Sequence, residues 1–196
     1  EINTSIKKLE LVNKIGFDIT KQQLDHLSLN GVYTGEMFGE VLLNDERYIE
    51  HELLKPYRVG GTCSDNPYVN FYWDYFAQGK PCYIEIVYPT LEETIQLIEK
   101  HGGIAVLAHP GNNLKGQFEV FDEMVKLGIK GVEVFSNYHI PDTVQYFYNK
   151  GKEHNILITC GSDYHGKTKP AIEIGECRCH IDEHEIEEQL KKYNLL

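Results

Sequence analysis

The sequence predicts an α/β fold over its second half, with a helical region ahead of it. Two observations carry this. From Cys82 onward, short apolar runs alternate with helix-like stretches, the pattern of parallel strands joined by crossover helices. Two of those runs, at residues 103–108 and 155–159, lead into Gly- or Pro-bounded turns that carry His109 and the pair Asp163 and His165. Such strand ends are where parallel α/β folds and barrels build their sites. We divide the chain into residues 1–80, a helical insert or cap, and residues 81–196, the β/α part.

Taken in order, the first element is a helix over residues 4–16: Ile6, Leu9, Val12 and Ile15 keep helical spacing, and Gly16 stops it. Thr20 with Gln23 forms a capping box that opens a second helix reaching about Leu29, before the Asn30-Gly31 turn. Residues 35–43 read as a third helix. The stretch between Pro56 and Pro81 is dense in aromatics, from Tyr68 to Phe76. It reads either as a platform for a base or ring, or as a helix that packs its aromatics against the barrel rim. Residues 83–87 read as a strand. Thr90 and Glu93 cap a helix that Gly102-Gly103 closes. The His109 strand follows, then a helix over 118–127, a strand over 131–135, a helix that starts at Pro141, and the strand before Asp163. Residues 172–179 read as a further strand, and Asp182 opens a terminal helix.

Composition sets bounds. A net charge of −11 argues against an extended nucleic-acid surface, which needs a basic stripe. It leaves room for nucleotides whose phosphates a metal holds. There is no run of 18 apolar residues to span a membrane. The five cysteines fit reduced thiols in a cytoplasmic protein. A nucleophile elbow is missing, because Gly161-Ser162-Asp163 lacks the second glycine, and no phosphate-cradling Gly-rich fingerprint is present.

An acid and imidazoles at adjacent strand ends can converge on one metal ion, so His109, Asp163 and His165 are the candidate metal ligands. The segments 108–111, 131–139 and 161–166, in this order and spacing, resemble the metal motifs of the PHP (polymerase and histidinol phosphatase) superfamily. The similarity runs from about Pro89 to about Cys179. It implies part of a distorted (β/α)7, TIM-like barrel with a helical insert. It also implies a divalent metal cluster of Mn, Fe or Zn and the hydrolysis of a phosphate ester by metal-activated water. The substrate it implies is a nucleotide, an oligonucleotide end or a small phosphorylated metabolite. The family's opening His-x-His is absent, and the first histidine is His26. The expectation is therefore a fragment lacking the first half-barrel, inactive alone, with strand edges that a homo-oligomer covers. His139 follows a strand end and is the candidate catalytic residue. Glu133 and Arg58 are candidates to support the ligands or reach the substrate. Two alternatives stay open: a PHP-like domain that binds metal for structure or regulation, and an amidohydrolase.

Overall fold

The computed structural model describes residues 2–196. The chain forms two compact units. One runs up to Val87 and takes in His165–Ile172, and the other is Tyr88–Tyr164 with Glu173–Leu196.

The first unit is helical. Helix α1 is Ile2–Lys14. Helix α2 is Lys21–Asp25, opened by the Thr20–Gln23 capping box. It is shorter than expected, because Leu29 and Val32 form an antiparallel bridge around the Asn30-Gly31 turn. Helix α3 is Gly35–Asn44, and two 3-10 turns lead from it to α4, Pro67–Tyr75. The aromatic run lies on α4. Phe71 is fully buried and stacks on Tyr75, in a core with Val12, Leu24, Phe38, Leu42 and Leu54. Gly39 on α3 faces the Phe71 ring, where a Cβ would crowd it at 3.1 Å. Phe71 and Phe76 are therefore packing residues, in the first unit's own helical core.

The second unit is a parallel α/β layer. Helix α5, Leu91–Lys100, starts at the Thr90–Glu93 capping box. Strand β1 is Val106–Leu107, followed by the short α6, Pro110–Asn113. A 3-10 turn leads into α7, Phe121–Leu127, which Gly128 ends at φ 121°. Then come β2, Gly131–Ser136, α8, Pro141–Glu153, and β3, Leu157–Gly161. Helix α9, Glu183–Lys192, closes the chain. The sheet order is β1-β2-β3, all parallel, with Val106 opposite Gly131 and Gly131 opposite Leu157. Phe121, Val132, Val134, Phe147 and Ile158 fill the space between sheet and helices. Gly151 lets α8 approach the sheet, since a Cβ there would stand 2.7 Å from Ile158 Cγ1.

Among the described residues two expected strands do not form, and the three parallel strands make an open sheet. Residues 83–87 have strand-like composition, but among the described residues no ladder pairs with them, and an extended segment becomes a strand only by pairing. Residues 172–179 are irregular because Gly175 and Arg178 take left-handed conformations, φ 78° and 52°, which break extension.

Candidate active site

Parallel strands put their C-terminal ends at one edge of the sheet, so the residues after β1, β2 and β3 meet there. Glu133 organises this edge from within β2. Its Oε2 accepts the His109 backbone N–H at 2.8 Å. On the other side its Oε1 lies against Gly161, where any Cβ would collide with it. One carboxylate thus holds the turn after β1 and occupies space that the end of β3 must leave free. Asn side chains brace the same turns: Asn113 donates to the Ala108 carbonyl at 2.9 Å, and Asn137 to the Ser162 carbonyl at 3.2 Å.

His109 and Asp163 both sit in left-handed backbone, at φ 27° and 57°. For side chains with a Cβ this costs energy, and such strain is held where the surroundings over-determine it, often at functional sites. Tyr138 joins the two. Its ring meets the His109 ring edge-on at a centroid distance of 5.2 Å, and its hydroxyl donates to Asp163 Oδ2 at 2.5 Å. His109 Nδ1 is buried and has no hydrogen-bond partner. A buried imidazole nitrogen without a partner is costly unless a proton donor or a cation meets it.

His139 is in a different situation. It is 4% exposed. Its Nδ1 donates to the Val134 carbonyl at 2.7 Å, which leaves Nε2 to accept the Gly111 N–H at 3.0 Å. This is the neutral Nδ1–H tautomer. Both nitrogens are spent on backbone, and the ring lies over Phe147. A Cβ on Gly111 would come within 2.7 Å of the His139 ring, so the two positions fit only with glycine. His139 is a post that fixes the turn after His109.

His165 is exposed and belongs to the segment grouped with the first unit. Arg58, also in the first unit, is partly engaged: Nη1 donates to the Leu43 carbonyl at 3.1 Å and Nη2 to the Tyr48 carbonyl at 2.9 Å, while Nε is buried without a partner. Among the described residues, no group of three or more His, Cys, Asp or Glu side chains stands ready to hold a metal ion. What the second unit does offer is one imidazole with an unpartnered buried nitrogen and one carboxylate, joined through Tyr138. That pair fits part of a site for Mn, Fe or Zn, and further ligands must complete it.

Tyr138 was not singled out from sequence. The signal was its place directly after a strand end, between Asn137 and His139.

No family model matches the chain. It is 30% identical over 104 residues to the 3',5'-nucleoside bisphosphate phosphatase of Chromobacterium violaceum, across 52% of this chain and 36% of that protein. It is also 30% identical over 108 residues to the phosphoribosyl 1,2-cyclic phosphate 1,2-diphosphodiesterase of Eggerthella lenta, across 55% and 40%. The match to the 5'-3' exoribonuclease Rnm of Escherichia coli is 31% over 104 residues, across 52% and 35%. The resemblance seen in the motifs is borne out: the homologues are PHP-family phosphoesterases. These matches span well under half the length of the curated relatives. Among solved structures, a Bifidobacterium adolescentis protein assigned as a metal-dependent phosphoesterase superposes with a TM-score of 0.68 at 23% identity, over 97% of this chain and 64% of that one. An amidohydrolase from Chromobacterium violaceum with bound sulfate and no metal gives 0.64 at 20%, over 96% and 62%. At these identities the structural matches speak for the fold.

Proposed function

We propose that this chain carries part of the active centre of a metal-dependent phosphoesterase of the PHP superfamily. The observation that carries the reading is the His109–Tyr138–Asp163 constellation, with the buried, unpartnered His109 Nδ1, at the C-terminal edge of the sheet. The sequence relatives support the reaction class.

In this reading His109 and Asp163, both in the second unit, would be among the residues that hold a divalent metal. When bound, the metal neutralises phosphate oxygens and lowers the pKa of a water, so that an anionic ester can be attacked without a protein nucleophile. The chain's own residues supply the frame. Glu133 fixes the His109 turn through the backbone N–H, and Tyr138 orients the Asp163 carboxylate. His139 acts as a positioning residue through Gly111, and not by touching substrate. Arg58 donates from Nη1 and Nη2 to two backbone carbonyls of the first unit, so we assign it to bracing that unit. The substrate is a phosphorylated small molecule or nucleotide. No helix among the described residues is long and apolar enough to cross a membrane, and we place the protein in the cytoplasm, where its free cysteines stay reduced.

The test is Mn²⁺ binding, read by water-proton relaxation, together with turnover of a generic phosphoester. Both are measured on this chain and on a longer chain that contains it. His109→Ala and Asp163→Ala should each weaken Mn²⁺ binding and abolish turnover in the longer chain, with circular dichroism unchanged. Full turnover in either variant would sink the reading. Metal bound normally with no turnover in any form would mean a structural or regulatory metal instead.

A further inference from the structure

We propose that the second unit contains a separate binding pocket for a small organic anion, a phosphate or carboxylate carried on a few apolar atoms. The pocket has a volume of about 180 Å³ and lies among the end of β2, the first turn of α8 and residues 177–180. Ser136, Pro141, Val144, Cys177, Arg178 and His180 line it.

Ser136 points to a ligand. It is 2% exposed, and its Oγ is buried without a hydrogen-bond partner. Buried hydroxyls are nearly always paired, so a group that bonds Ser136 Oγ would remove a standing cost. The charge of the lining points to an anion. The chain carries a net charge of −11, yet no residue lining this pocket is acidic, while Arg178 and His180 both line it. The first turn of α8 adds to this. Its N-cap, Ile140, offers no side-chain cap, so the helix presents uncapped N–H groups at its positive end. Asp142 lies on that turn and is exposed, but does not line the pocket. Gln145 supplies an amide to the wall. Pro141, Val144 and the His139 ring, whose nitrogens are already spent, supply apolar surface. The volume is below the roughly 300–1,000 Å³ of drug-sized sites, which excludes a whole nucleotide and suits an anionic group with a short apolar body.

None of the proposed metal ligands lines this pocket, so it is tested without metal and its outcome is independent of the hydrolase reading. Metal-free ¹⁵N-labelled protein is titrated with phenyl phosphate, and separately with phenol and inorganic phosphate. Phenyl phosphate should give saturable amide shifts at Ser136, Val144, Gln145 and Cys177, with phenol and inorganic phosphate each about tenfold weaker or more, as expected for loss of a charge-assisted hydrogen bond or of the apolar contact. Arg178→Ala should weaken phenyl phosphate by about tenfold. Ser136→Ala should weaken it several-fold and leave the free protein at least as heat-stable, because it removes an unpaired hydroxyl. Shifts on other faces only, equal binding of phenol, or unchanged affinity in Arg178→Ala would overturn the proposal.

Discussion

Tyr138 is the smallest unit at which the site is tested. Its hydroxyl is the tie between the His109 ring and the Asp163 carboxylate. Tyr138→Phe keeps the ring and removes the hydroxyl that bonds Asp163. A hydrogen bond to a charged group contributes about 1.5–3 kcal/mol, so the longer chain should lose roughly ten- to a hundredfold in kcat. Steady-state kinetics beside a thermal melt would check this, and wild-type kcat would show that Asp163 needs no such orientation. Gly161 is the second test. An added methyl must displace the Glu133 carboxylate, which then lets go of the His109 N–H. Gly161→Ala should cost about 1–3 kcal/mol of stability, as overpacking does, and also weaken Mn²⁺ binding. A stability loss with metal binding intact would separate Glu133 from the site.

Among elements, α7 and α8 are tied by Asp122. Its carboxylate bonds Lys150 Nζ at 2.8 Å and His154 Nε2 at 2.7 Å. Lys150, then His154, hold the Asp122 carboxyl below its ordinary value. A carboxylate with a depressed native pKa stabilises the fold above its unfolded pKa of about 3.9, and that stability fades as pH falls through the lower native value. The group is more than a third exposed, so solvent screens it, and Asp122→Asn should cost only about 0.5–1 kcal/mol at neutral pH. Urea titrations at pH 7 and pH 3 should show that difference shrinking in acid. A difference that grows in acid would contradict the assignment. The capping box of α5 gives a sharper figure: Thr90→Ala should cost about 1 kcal/mol in the same assay.

At the scale of the whole molecule, charge decides what the chain meets. With a net charge of −11 it should repel polyanions unless a metal intervenes. Fluorescence anisotropy with a single-stranded oligonucleotide, metal-free and at physiological salt, should give a dissociation constant weaker than about 10⁻⁴ M, the weak end of non-specific binding. Tight binding that weakens steeply with salt would reveal a basic surface that the composition hides.

Local chemistry was legible in the sequence. Capping boxes at Thr20 and Thr90, proline at the start of α8 and glycine after α7 are read from neighbours within a turn, and the helices begin or end there. The strand ends bearing His109 and Asp163 were legible for the same reason, as apolar runs broken by Gly and Pro. Pairing was not legible, because a strand depends on a partner far away in the chain. Residues 83–87 have the composition of a strand and no ladder among the described residues, so the expected strand is absent. The task of each histidine was equally hidden. His109 and His139 look alike as residues after strands. Tertiary packing leaves a ring nitrogen of His109 buried and unpartnered, and gives both nitrogens of His139 to backbone groups from Val134 and Gly111. Hydrogen bonds between β2 and the turn after β1 are contacts of the fold, and only the fold decides which imidazole keeps a lone pair to offer.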